Sequence, residues 1–161
     1  MRRAAVVAGV LTALIGVTFV AGNDHPAMPG AIIRRPDALD WKDAPPSLPP
    51  GAKVAILEGD PTKAGPFVMR FKFPDGYRVM PHTHPKPERV TVLAGALHIG
   101  MGATFDAAKC QEMRVGTYGT WPAGMQHFGW FKGETILQLH GEGPWAVEYV
   151  NPADDPRIGK K

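Results

Sequence analysis

Three histidines and one glutamate set what this chain could do chemically. His82, His84 and Glu88 fall within the string that runs from Gly76 to Glu88, with Gly95 beyond it, and His127 closes a second string that begins at Gly116. On a strand, side chains alternate faces with a period of two, so His82 and His84 point the same way and Glu88 shares their parity. A His-x-His pair alone would read as a solvated strand end and Glu88 as an exposed charge. Together with His127, three imidazoles and one carboxylate can hold a divalent transition metal from one side and leave room for water or substrate.

Other polar residues are candidates for acid, base or substrate-orienting roles. Gln138 and His140 share a face of a strand expected over residues 135–140, and Tyr77 and Tyr149 carry phenols. The competing assignment turns Gln138 and His140 outward, with Leu137 and Leu139 in the core, and leaves the tyrosines packing at a rim. Trp121, Trp130, Met69, Met80, Met101 and Met125 are expected either to wall an apolar cavity or simply to fill core. His98 reads as a surface histidine. Cys110, the single cysteine, excludes an internal disulfide and reads as a small buried hydrophobe.

The elements that must position these residues are strands. The chain has 161 residues with 19 glycines and 17 prolines, a balance that suits short strands and turns better than helices. Phe67, Met69, Phe71 and Phe73 alternate with Val68, Arg70 and Lys72, the pattern of a strand with one buried face, and residues 74–76 supply a turn. Further strands are expected over 77–80, 89–93, 96–100, 114–121, 126–131, 135–140 and 145–150. Only residues 104–110 look helical. The pattern implies an all-β antiparallel sandwich or barrel over residues 51–150, followed by a tail over 151–161.

Ahead of the strands, residues 1–22 carry a charged start and an apolar run, the pattern of a secretory signal peptide, with cleavage expected after Gly22. An uncleaved membrane anchor is the alternative, since the run approaches the roughly 20 residues that a spanning helix needs. Residues 23–50 form a proline-rich arm, of which Leu39 and Trp41 are expected to lie against the barrel. The formal charge is +3; without Arg2 and Arg3 the 18 basic residues fall to 16 against 15 acidic ones, leaving +1. That balance supports neither a nucleic-acid partner nor, once the leader is removed, a membrane one.

The two strings resemble the two motifs of the cupin superfamily. Gly76, His82, His84, Glu88 and Gly95 match the first motif at every position, and Gly116, Pro122, Gly124 and His127 match the second. Phe131 stands where the family has an asparagine and is expected to fill core. The runs at 57–61, 65–67, 90–93, 133–135 and 149–156 are similar to small exported bacterial single-domain cupins. The resemblance implies a double-stranded β-helix, or jelly-roll, barrel with His82, His84, Glu88 and His127 as ligands inside its mouth. It also implies a divalent metal, with manganese or iron favoured over zinc, copper or nickel, and dimerisation through sheet edges.

The function expected is a metal-dependent enzyme of the dioxygenase type, an oxidoreductase acting on a small aromatic or enolic compound in the periplasm or outside the cell. Tyr77, Gln138 and His140 are its candidate catalytic residues. The alternatives are a lyase or isomerase, and a noncatalytic module that binds or senses a small ligand or metal.

Overall fold

A computed structural model describes residues 30–158, so the leader expected over residues 1–22 lies outside the described residues. Among the described residues nine strands follow in chain order: β1 (Lys42–Asp43), β2 (Lys53–Glu58), β3 (Gly65–Phe73), β4 (Arg78–Thr83), β5 (Glu88–Met101), β6 (Gln111–Arg114), β7 (Tyr118–Trp121), β8 (His127–Gly143) and β9 (Glu148–Tyr149). All pairings are antiparallel. Short 3₁₀ turns occupy Pro36–Ala38, Ala107–Lys109 and Pro152–Asp154. Among the described residues no helix is long and apolar enough to cross a membrane.

The long strand β8 is the hub. Its second half, from Thr135, pairs with β3, its first residues pair with β4, and β5 runs along its other edge from His127 to His140. β5 in turn carries β6 and β7. The sheet curls because the β5–β8 register shifts twice, between Val92 and Ala94 and between Ala94 and Ala96, and such bulges bend a strand and increase its twist. Gly95 sits in this bulge at φ +65°, and a Cβ there would stand 2.6 Å from the Glu134 carbonyl and 2.4 Å from Thr135 Oγ1. Thr135 is fully buried and binds the bulge, its hydroxyl accepting from the Ala96 amide at 3.2 Å.

The aromatic strand forms as its alternation implies. Phe67, Met69, Phe71 and Phe73 are all buried, and the residues between them are not. Leu137 and Leu139 of β8 meet them in the core together with Val90, Val92 and Leu97 of β5. Phe131 is 3% exposed and stacks on Phe73 at 4.0 Å between ring centroids, so an aromatic ring fills the volume where the resemblance places an asparagine.

Several expected elements merge or shrink. Residues 89–93 and 96–100 belong to one strand, because the bulge bends the pairing without ending it. Residues 126–131 and 135–140 likewise fuse into β8. Gly116, at φ +87°, splits 114–121 into β6 and β7. The arm is partly built into the sheet: β1 pairs with β2, Lys72 Nζ lies 4.8 Å from the Trp41 ring centroid, and Ser47 and Leu48 are buried. Cys110 is half-buried, and its thiol points to the Asp106 carbonyl at 3.6 Å.

The bulge gives a direct test. Gly95→Ala combines an unfavourable φ with a backbone clash and is expected to destabilise the protein by about 2–4 kcal/mol, read as a lower midpoint in denaturant unfolding. An unchanged midpoint would contradict this account of how the barrel closes.

Candidate metal centre

His82 and His84 come from the end of β4 and the residue after it. A register shift between Val79 and His82 turns both histidines inward. His127, the first residue of β8, stands directly opposite His82, and Glu88 opens β5 opposite Trp121. The two sequence strings are tied by the backbone, since the Gly124 amide donates to the His84 carbonyl at 2.9 Å. Gly124 takes φ +74° to make that turn. All four side chains are buried.

One ring nitrogen from each histidine lies within 4.8 Å of the other two. In each ring Nδ1 faces a backbone carbonyl: Met80 for His82 at 2.7 Å, Ala146 for His84 at 2.6 Å and Met125 for His127 at 2.9 Å. A carbonyl can only accept, so each Nδ1 carries the proton and each Nε2 presents a lone pair. Such backbone contacts fix the tautomer and aim of metal-binding imidazoles. Flat aromatic neighbours limit ring rotation as well, Trp145 stacking on His84 at 5.5 Å and Trp121 on His127 at 5.4 Å between centroids.

Glu88 completes the cluster. Its Oε1 lies 3.2 Å from His84 Nε2 and its Oε2 lies 3.6 Å from His127 Nε2, while the Trp145 indole donates to Oε1 at 3.3 Å. Despite its closeness to Glu88, the buried His84 Nε2 makes no hydrogen bond of acceptable geometry. An orphaned buried nitrogen is costly unless something else occupies its lone pair. The donor set therefore fits a divalent transition metal: neutral imidazoles with one carboxylate suit the ions from manganese to zinc.

The electrostatics agree. Burial pushes the His82 imidazole down to about 3, with His127 and His84 adding to the effect. Burial also opposes charge on His84, but the Glu88 carboxylate and the Ala146 carbonyl outweigh it and raise its pKa. For Glu88 burial favours the neutral acid, yet the facing His84 and His127 rings prevail and hold the carboxyl well below the usual range. The site thus keeps His82 neutral and Glu88 ionised, and a proton competes with a cation for the space between His84 and Glu88.

A cavity of about 60 Å³ adjoins these residues. Apart from the four polar side chains its walls are apolar, among them Leu48, Phe71, Trp121, Leu137, Leu139 and Trp145. Leu137 and Leu139 face it, so Gln138 and His140 lie on the opposite, outer face of β8. Gln138 accepts there from Arg70 Nε at 3.1 Å, and His140 packs near Tyr118. Tyr77 is not a cavity residue either: its hydroxyl donates to the Pro49 carbonyl, and burial raises its pKa. Gln138 and His140 therefore stand away from the four clustered residues because the leucines of β8 take the inward face, and Tyr77 because its hydroxyl turns to the arm. Of the aromatic and sulfur residues considered as walls, Trp121 lines the cavity, whereas Met101 and Met125 are exposed. Trp130 stacks on His98 at 3.9 Å, outside it. Trp145, Leu48 and the Ala146 carbonyl carried no signal in the sequence, since each reaches the site through tertiary contact.

A curled antiparallel barrel with this inward cluster defines a cupin. Within that class the chain belongs to the ChrR cupin-like domain family, whose match spans residues 29–146. Solved structures share the fold. The polyketide cyclase RemF from Streptomyces resistomycificus superposes at TM-score 0.62 with 17% identity, covering 77% of this chain and 88% of that one. A putative acetylacetone dioxygenase from Methylibium petroleiphilum gives 0.60 and 20%, covering 82% and 89%. A chain in the complex of Rhodobacter sphaeroides SigE with the anti-sigma ChrR gives 0.50 and 20%, covering 66% and 51%. No curated protein matches the chain.

His82 predicts a pH dependence. Its folded pKa is about 3 against an ordinary 6.5, so between those values the unfolded chain binds a proton that the fold refuses, and stability falls as pH drops. His84 has the opposite sign and acts above 6.5, and Glu88 adds to the loss only below 4.5. From pH 6.5 to 4.5, metal-free protein should lose about 2 kcal/mol in all through His82. Denaturant unfolding across that window should show a shallower slope in His82→Asn than in the parent; equal slopes would refute the assignment.

Proposed function

We propose that the protein is a metal-dependent cupin enzyme with oxygenase-type chemistry on a small enolic compound. His82, His84, Glu88 and His127 are its metal ligands, with manganese or iron as the resident ion. The observation that carries this reading is the orphaned, buried Nε2 of His84. It sits beside an ionised carboxylate among three imidazoles whose other nitrogens are pinned by the backbone. A divalent metal bound by four such groups supplies open positions and Lewis acidity toward an oxygen ligand.

The protein's own contribution is positioning and exclusion of water. Apolar walls favour a neutral or delocalised ligand over a hydrated ion, and the fixed Nε2 lone pairs need no reorganisation on binding. The cavity's titratable lining residues are the four proposed ligands themselves. No separate base lines it, which favours oxygenase chemistry over the lyase or isomerase alternative, since those need a proton acceptor beside the substrate. The size of about 60 Å³ favours dioxygen and the reactive end of an enolic compound over a whole aromatic ring. The charged start and apolar run of residues 1–22 support export to the periplasm or beyond.

The family match favours one second reading, a noncatalytic module that binds a metal or small ligand on behalf of a partner protein. Oxygen uptake separates the two. Protein isolated from its native compartment should hold about one equivalent of manganese or iron, and His127→Ala should hold less than about a tenth of that. Loaded protein should consume oxygen with at least one β-diketone or other enolisable compound in a panel, and His127→Ala should not. Metal-replete protein as inert as His127→Ala across the panel would favour the noncatalytic module. A native sample without metal would remove the site assignment.

A further inference from the structure

Leu48 reaches the metal cavity from outside the long strands. It belongs to the arm that joins β1 to β2, yet it is 6% exposed and lines the cavity with residues of β3, β5 and β8. The segment that carries it is tied down on both sides. The Tyr149 hydroxyl donates to the Ser47 carbonyl at 2.9 Å and the Tyr77 hydroxyl to the Pro49 carbonyl, so the residues before and after Leu48 are each held by a barrel tyrosine. The Leu48 amide donates to the Pro45 carbonyl at 2.9 Å and closes a turn that presents the side chain inward.

The tyrosines are suited to clamping. Burial raises both phenols, Tyr149 to about 12, so each keeps its proton and donates throughout the neutral range. Neither hydroxyl is free for proton transfer, since each is spent on a backbone carbonyl. Pro45, Pro46, Pro49 and Pro50 restrict the backbone around the turn, which reduces the freedom lost when Leu48 is docked.

We propose that Leu48 is the specificity-determining residue of the metal cavity: its side chain, clamped by Tyr77 and Tyr149, limits the ligand beside the metal to a few heavy atoms. An apolar cavity of about 150 Å³ takes benzene, whereas this one measures about 60 Å³. Leucine at position 48 therefore admits dioxygen-sized or narrow ligands and rejects a ring, and truncation at that wall converts the site toward ring-sized ones. The inference rests on reading the cavity as the place where metal and ligand meet.

The test has a metal-free and a metal-loaded arm, both on the full chain. In metal-free protein, benzene is titrated while methyl NMR signals of Leu97, Leu137 and Leu139 are followed. Leu48→Ala is expected to bind benzene at least tenfold more tightly than the parent, and Leu57→Ala, a buried leucine outside the cavity lining, is expected to match the parent. Should Leu48→Ala fail to fold, Leu48→Val is expected to gain at least threefold and Tyr149→Phe to gain in the same direction. Benzene binding that is equal in the parent and the Leu48 variants, or equally improved in Leu57→Ala, overturns the proposal. In the second arm, cobalt(II) is loaded and its visible bands are followed during azide and phenol titrations. Phenol should perturb the bands of Leu48→Ala and not those of the parent, with azide affinity alike within threefold. Phenol acting equally on both overturns the proposal. Cobalt that fails to bind, with benzene still discriminating, removes the metal-enzyme reading and leaves Leu48 as the wall of the cavity.

Discussion

The pairing of β5 with β8 is the constraint on which the molecule depends. These are its two longest strands, and they run together from His127 to His140. A flat ribbon of that length could not bring its two ends into one interior. The bulge around Gly95, held by the Thr135 hydroxyl, gives the bend, and the same bend lets β8 serve β4 with its first residues and β3 with its last. His127 and Glu88 then enter one cavity although they begin different strands. Gly95 matters to the metal centre for this reason, although nothing places it against the ligands.

Within that frame the centre is made by backbone carbonyls as much as by side chains. Three unrelated peptide groups, at Met80, Met125 and Ala146, each take an Nδ1 proton. The resulting lone pairs face inward, and the buried Nε2 of His84 is left without a hydrogen-bond partner. Burial opposes charge on His82, His84 and Glu88 alike, and only their mutual contacts offset that desolvation for His84 and Glu88. A cation held among them would satisfy the inward-facing donors and offset that desolvation.

Much of this was legible in the sequence, for physical reasons that differ by residue. The strand from Phe67 to Phe73 was readable because one buried face imposes a period of two. His82, His84, Glu88 and His127 were readable because they stand at fixed offsets from glycines and a proline that the turns require. The extent of β5 and β8 was not, because a glycine inside a pairing looks the same in sequence whether it ends a strand or only bends it. The face of Gln138 and His140 was ambiguous for a similar reason. Alternation identifies two faces without saying which is inward, and here the pairing of Leu137 with Phe71 and of Leu139 with Met69 decides it. Trp145 and Leu48 were invisible as site residues because neither belongs to a local pattern near the histidines.

Leu48 and Trp145 also show where variation in this fold can act without replacing any of the four clustered residues. The four clustered groups come from β4 and the residue after it, β5 and β8, whose register is fixed by many hydrogen bonds, so changes there disturb the whole barrel. The closing wall comes instead from a proline-rich segment with few backbone contacts, held mainly by the Tyr77 and Tyr149 hydroxyls. Trp145 lies in the stretch between β8 and β9, and its indole joins Glu88 to the cavity wall. A chain that keeps its four clustered residues can therefore change cavity size by altering the arm, and can change how Glu88 is held by altering residue 145. The four clustered residues and the Leu48 wall sit on separate parts of the polypeptide. This separation is consistent with one barrel architecture recurring in proteins as unlike as a cyclase and a chain of a sigma–anti-sigma complex.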